Sequence, residues 1–250
     1  LASVFFSDEQ QGIALLDIST GEFFCTEGNV EYLDKLLQSF KPAEILFPKT
    51  KKKLFTEQFG ERYYTYGLDD WIYSGTYAQD VLLAHFQTLT LKGFGVEDLP
   101  LAIHAAGAIL HYLKETEHHQ LHHISSLQRM TRNDFLWMDR FTIQNLELLE
   151  SGREHGHTLL RVLDNTVSPM GSRLMKRWLL FPLQDIRRIE ERQSATEYLI
   201  RETDLRQQLI PLIRQMGDQE RLVARIPQRK IAPRDVLQIA KGLQLVQELK

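Results

Sequence analysis

Apolar residues change their period part-way along this chain, and that change limits the folds open to it. Up to about residue 124 they come in short runs, Val4-Phe5-Phe6 and then Ile13, Leu15, Leu16 and Ile18, separated by the polar stretch 7–12. Runs of that length bounded by turn residues read as strands. From Ile124 onward apolar residues recur at the three- and four-residue intervals of a helix face. No internal repeat or low-complexity segment interrupts either half. With 250 residues, 43% of them apolar, the chain has material for two ordinary cores, and the expected domains are 1–126 (α/β) and 127–250 (all-α).

In the first half, Asp17-Ile18-Ser19-Thr20-Gly21-Glu22 predicts a tight turn into a third strand over 23–26. Asn29 is placed to cap a helix that buries Val30, Leu33, Leu36, Leu37 and Phe40, and Lys41-Pro42 ends it before a strand over 43–47. Helices of roughly 75–88 and 99–118 follow, with Gly93-Phe94-Gly95 as the turn between them. A strand meander, a helix and a further strand beside the first is the order of a ribonuclease-H-like α/β domain.

The second half opens with short extended pieces at 127–130 and 135–137, after which Asp139 is expected to cap a segment carrying Phe141, Asn145, Leu146 and Leu149. The best-marked helix lies at 168–180. Ser168 suits the N-cap, Pro169 the first turn, and Lys176 and Arg177 the negative end of the helix dipole, while Pro182 forbids continuation. Met170, Leu174 and Trp178 form its expected buried stripe. Gly171 and Ser172 leave a small-residue notch, which predicts close passage of another backbone. Further helices are expected from Asp185, with Ile186, Ile189, Thr196, Leu199 and Ile200 inward; from Thr203 to the break at Gly217; from Asp218 to Ile226; and from Pro233 to the end.

The string SPMGSRLMKRWLLFPL, residues 168–183, resembles the central signature of MutS-type DNA mismatch-recognition proteins, which runs approximately T-P-M-G-S-R-x-L-x-x-W-L-x-x-P-L. Four more segments resemble the family in its order: Leu16-Asp17-Ile18-Ser19-Thr20-Gly21-Glu22-Phe23; Gly93-Phe94-Gly95-Val96-Glu97; Met138-Asp139 through Asn145-Leu146-Glu147; and Gly217-Asp218 to Arg221-Leu222, followed by Pro233-Arg234-Asp235. The matching positions taken as structural signature are Asp17, Gly21, Gly93, Gly95, Asp139, Asn145, Pro169, Gly171, Arg173, Trp178, Pro182, Asp218, Arg221 and Pro233. One departure is Ala232, where the family pattern often has Ser; an alanine N-cap costs about 1 kcal/mol.

The resemblance implies a ribonuclease-H-like connector domain followed by the N-terminal part of a helical core or lever domain. It implies that these parts relay ATP state and DNA binding, offer a surface to a MutL-like protein, and perform no catalysis. ATP, Mg²⁺, mismatched double-stranded DNA and a homodimeric state belong, on the same implication, to a full-length bacterial parent. The missing initiator Met and the end at Leu249-Lys250 inside an apolar-periodic segment suggest such a parent.

Chemistry-bearing motifs are sparse. Neither the phosphate-cradling G-x-x-x-x-G-K-[ST] nor G-x-S-x-G occurs, and the single Cys25 makes no internal disulfide or C-x-x-C site. Asp17 raises the alternative of an RNase-H-like metal-dependent nuclease with Glu22 and Glu44 as helpers, against a plainer role as a turn-forming carboxylate. His118, His119, His122 and His123 form two i, i+4 pairs that suit a metal, against a plainer role at a helix C-terminus. Phe55-Thr56-Glu57 mimics the family's base-stacking Phe-x-Glu in the wrong setting. Residues 1–126 carry 17 Asp and Glu against 9 Lys and Arg, and residues 127–250 carry 16 against 21. The basic Arg173, Lys176, Arg177, Arg187, Arg188 and Arg192 are alternatives for phosphate contact or, more plainly, solvated helix faces. No apolar run approaches the ~20 residues of a membrane span, and the chain start lacks a basic signal region, so the cytoplasm is the expected compartment.

Overall fold

Three strands, β1 (Ala2–Phe6), β2 (Gln11–Asp17) and β3 (Glu22–Gly28), open the chain as an antiparallel meander, with Val4 opposite Ile13 and Ile13 opposite Thr26. Every residue of β2 before Asp17 is buried, so both faces of this central strand are covered. In the computed structural model the described residues are 1–116, 121–131, 135, 136, 138, 140–152, 156–226 and 231–249. They divide into two units, Leu1–Met130 and Thr131–Lys250.

Helix α1 (Val30–Phe40) starts where Tyr32 N–H donates to the Asn29 side chain at 3.0 Å, and stops at Lys41, which adopts φ 45° ahead of Pro42. Strand β4 (Ile45–Pro48) then runs parallel to β1, with Ala2 opposite Ile45. Helix α2 (Lys52–Phe59) and strand β5 (Thr65–Leu68), parallel to β4, come next; the weak apolar pattern of 49–74 announces neither. Phe55 of α2 is buried and stacked on Phe47 with ring centroids 4.9 Å apart, so the Phe55 ring is taken up by the core and is not free to stack on a base.

Helices α3 (Gly75–Phe86) and α4 (Pro100–Glu115) lie on the other face, against Ala14, Leu16, Phe23 and Cys25. The alanines of α4 let it approach closely. A Cβ added to Gly12 would lie 2.1 Å from the Leu101 carbonyl carbon, and one added to Gly107 would lie 2.6 Å from Ala78 Cα. Opposite Gly12 in the ladder, Glu27 accepts the Leu101 and Ala102 N–H groups at 2.5 and 3.1 Å, capping the exposed donors of α4 with a carboxylate. Burial pushes the neighbouring Cys25 thiol up to about 12, so it stays protonated.

The expected boundary at 126/127 falls a few residues before the observed division. Strand β6 (Gln128–Arg129) pairs parallel to β3, with Phe24 opposite Gln128, and Leu127 is buried in the first core. The sheet order is therefore β5-β4-β1-β2-β3-β6. Segment 121–127 is tied down by His85 and His123, whose Nε2 atoms meet the Ile124 and Ile18 carbonyls at 2.8 Å each.

The second unit is helical: α5 (Arg140–Asn145), α6 (Leu159–Leu163), α7 (Pro169–Leu180), α8 (Ile186–Arg201), α9 (Thr203–Met216), α10 (Gln219–Arg225) and α11 (Pro233–Glu248). The extended piece around residue 135 pairs with the exit of α7, where Leu136 N–H donates to the Pro182 carbonyl at 2.7 Å. Asp185 caps α8 as expected, accepting Arg187 and Arg188 N–H groups at 2.9 and 3.2 Å. The inward face expected for α8 is corrected, since Ile186, Thr196 and Ile200 are exposed while Ile189, Arg192 and Leu199 are half-buried.

Candidate functional site

Helix α7 begins as its residues dictate. Ser168 Oγ accepts the Gly171 N–H at 3.1 Å, and Pro169 occupies the first turn, where no donor is needed. The preceding turn is closed by Asp164, which accepts the Thr166 N–H at 3.2 Å and the Thr166 hydroxyl at 2.5 Å, and which also accepts the Ser172 hydroxyl from α7 itself. These hydroxyl bonds hold the Asp164 carboxyl below the usual carboxylate range. The notch expected at Gly171 is real but of another kind. An added Cβ would meet Ser168 Oγ at 3.1 Å and the Thr166 side chain at 3.2 Å, so a folded-back turn fills it and not another backbone.

One turn further on, Arg173 reaches across to the start of α10. Its two terminal nitrogens donate to the two carboxylate oxygens of Asp218, both at 2.7 Å, and one also donates to Glu220 at 2.5 Å. Asp218 at the same time accepts the Arg221 N–H at 3.3 Å as the N-cap of α10, and Arg221 Nε stands 3.8 Å from it. The forked geometry suits a guanidinium, not an ammonium. The hydrogen bonds that Arg173 donates hold the Asp218 carboxyl below its ordinary value, and the same bonds, accepted by Asp218 and Glu220, raise the Arg173 guanidinium above its own. The same charge pairing continues to α11 through Arg225 and Asp235, 3.5 Å apart.

Residues 1–125 match the family model described as MutS domain II, and residues 141–250 match MutS domain III. The chain belongs to the MutS family. DNA mismatch repair protein MutS from Christiangramia forsetii is 47% identical over the whole chain and 29% of its own length. The proteins of that name from Cytophaga hutchinsonii and Flavobacterium johnsoniae are each 46% identical, over 98% and 100% of the chain and 28% and 29% of their own lengths. The chain thus spans under a third of the length of these curated relatives.

Of the MutS signature positions, Arg173, Asp218 and Arg221 converge in one cluster, and Pro169 and Gly171 shape the helix that presents it. Trp178 lies on the same helix, but it and Leu174 are 39% and 43% exposed, so the stripe expected to be buried is not. Its ring instead carries the Arg192 guanidinium of α8, 3.7 Å from the ring centroid. Pro182 ends α7 and offers its carbonyl to Leu136. Pro233 opens α11, where Ala232 offers no side-chain acceptor to the first turn and only the reciprocal bond of a capping box is made: Asp235 accepts the Ala232 N–H at 3.2 Å. Asn145 is exposed at the end of α5, and Asp139 lies outside the described residues.

Among the MutS signature positions of the first unit, Asp17 and Gly21 have local roles of their own. Asp17 Oδ1 accepts the Ser19 N–H at 2.8 Å and the Ser19 hydroxyl at 2.6 Å, the turn-forming role that the dipeptide spacing suggests. Gly95 adopts φ 67°, which glycine tolerates, whereas nothing within 4 Å of Gly93 explains a glycine there. Gly21 is required twice over: its φ is 79°, and an added Cβ would lie 2.4 Å from the His123 carbonyl oxygen. Gly21→Ala is expected to cost about 1–3 kcal/mol and to speed hydrogen exchange across 121–130, because segment 121–127 must lift away. Unchanged protection there would show that the turn absorbs the methyl. Of the paired histidines, His123 is committed to Ile18, His122 is exposed, and His118 and His119 lie outside the described residues.

Local pattern singles out neither Glu220 nor Asp164, and it offers Arg192 as a phosphate contact or a solvated face, not as a partner of Trp178. Asp164-x-Thr166 is a readable turn signal, but Glu220 and Arg192 carry none, since their partners come from other helices. Arg187 and Arg188 project from the first turn of α8 with Arg187 4.0 Å from Asp185. Among the described residues no group of three or more His, Cys, Asp or Glu is gathered as a metal site would need, and the sequence contains no P-loop motif. The cluster fixes one helix to another through paired charge.

Proposed function

We propose that this chain is the connector and the first part of the lever of a mismatch repair protein, joining a DNA-gripping end to an ATPase end and relaying nucleotide state between them. The observation that carries this reading is the fork from Arg173 on α7 to Asp218 at α10, two residues of the family signature spent, with the neighbouring Glu220, on tying helices together. Helices held by close packing and paired charge shift as bodies, and so carry a displacement further than loops do. A ribonuclease-H-like assignment of the first unit is supported by an antiparallel meander with two further strands parallel to β1 at its side. In this proposal the mismatched duplex, ATP with Mg²⁺, the homodimeric state and the cytoplasmic setting belong to the full-length protein, and the first unit faces a MutL-like partner.

Two measurements test it. The chain by itself is expected neither to hydrolyse ATP above blank nor to prefer a mismatched duplex tenfold; either result would overturn the assignment. In a full-length MutS protein carrying this segment, Arg173→Lys keeps the charge but loses the two-pronged grip. ATP-driven release of mismatched DNA should then slow at least fivefold while basal hydrolysis stays within twofold. Release at the normal rate would remove the clamp from the relay.

A further inference from the structure

Exposed aromatic side chains on the first unit are not scattered. Tyr66 of β5 and Trp71 are 50% and 55% exposed, and both lean on the C-terminal turns of α4. Tyr66 meets Tyr112 with ring centroids 5.5 Å apart, and Trp71 meets the adjacent His111 at 5.4 Å and Tyr77 at 4.9 Å. Tyr77 and His111 are locked together by a hydroxyl–Nδ1 contact of 2.7 Å, so the platform beneath Trp71 is rigid. Carboxylates stand at both ends: Glu44 accepts the Tyr112 hydroxyl at 2.9 Å, and Glu115 lies 3.3 Å from His111 Nε2.

Exposed ring faces bordered by carboxylates are the chemistry that receives a guanidinium, which stacks on the ring and forks to the acid. The wider charge agrees, since residues 1–126 carry 17 acidic against 9 basic side chains and attract a cationic partner. Tyr and Trp are also the residues from which protein interfaces draw most of their anchors. We propose that the Tyr66–Trp71 surface, bounded by Glu44 and Glu115, docks an arginine-bearing segment of a partner protein.

This deepens the partner-facing reading of the first unit and rests on it only for which protein supplies the segment. The test uses the 250-residue chain and a labelled hexaarginine peptide, with hexaglutamine as control. Wild type should bind hexaarginine and not hexaglutamine. Tyr66→Ser with Trp71→Ser should weaken binding at least tenfold, and Glu44→Gln with Glu115→Gln at least fivefold. Asp8→Asn with Glu9→Gln, which removes two exposed acids from another turn, should leave it within twofold. Tyr66→Lys, which changes only an exposed ring, should abolish binding even if the double variants melt early. Absence of wild-type binding, patch variants within twofold, or an equal loss from Asp8 and Glu9 would overturn the proposal. So would a single-stranded 20-mer DNA that binds the same surface more tightly than the peptide. Retention of a MutL-like protein by a chain that ignores hexaarginine would sink this inference and leave the partner-facing reading standing.

Discussion

Gly12→Val should be among the most damaging single changes in the first unit, costing about 3–5 kcal/mol. The glycine sits in a strand buried on both faces, and an added Cβ would lie 2.1 Å from the carbonyl carbon and oxygen of Leu101 and 2.5 Å from Ala102 N. Those atoms are main chain, so no rotamer change relieves the overlap; α4 has to retreat at its N-terminus. Retreat breaks a second interaction, because Glu27 stands opposite Gly12 in the ladder and holds the Leu101 and Ala102 N–H groups. Thermal melting is expected to fall by roughly 10 °C or more, with faster hydrogen exchange across 1–28. Gly93→Ala is the control, since nothing lies within 4 Å of that position and its backbone angle is ordinary. A Gly12→Val chain melting within about 2 °C of wild type would show that α4 does not bear on this strand as tightly as described.

Asp218→Ala is expected to have the largest effect in the second unit, about 2–4 kcal/mol, because one carboxylate makes two separable contributions. It receives both prongs of Arg173, and it caps α10 through the Arg221 N–H. Asp218→Asn keeps an oxygen for the cap and loses the charge, so it should cost about half as much. Glu220 remains beside Arg173 and limits the loss in both variants. The pH dependence gives an independent check. Arg173 holds the native Asp218 carboxyl below its unfolded value, so its contribution is complete above the unfolded pKa of about 4 and is lost as pH falls through the native value. As pH falls below ~4 the wild-type unit should therefore lose stability more steeply than Asp218→Ala. Parallel acid limbs for the two proteins would mean that the fork is not formed in solution.

Local instructions in this sequence were legible because they act within one helical turn or one tight turn. Asn29, Ser168 and Asp185 cap helices whose first N–H groups are two or three residues away, and Asp17 closes a turn onto Ser19. Pro182 ends α7 and Pro233 opens α11 for reasons of ring geometry alone. The family signature added which residues matter, without saying what each touches.

What only the tertiary structure decided are the pairings whose partners lie far along the chain. Arg173 meets Asp218 and Glu220 across 45 and 47 residues, and Glu27 meets the start of α4 across 74. Nothing local distinguishes these charges from solvated ones; burial of the surrounding helices brings them within bonding distance. The same holds for β5 and β6, four and two residues long, which have too little apolar pattern to announce themselves and exist because a neighbouring strand supplies hydrogen-bond partners. It holds also for the faces of α7 and α8, where helical spacing defines a stripe but not which stripe is covered. A sequence sets the period of an element, whereas the direction it faces depends on which other elements arrive beside it.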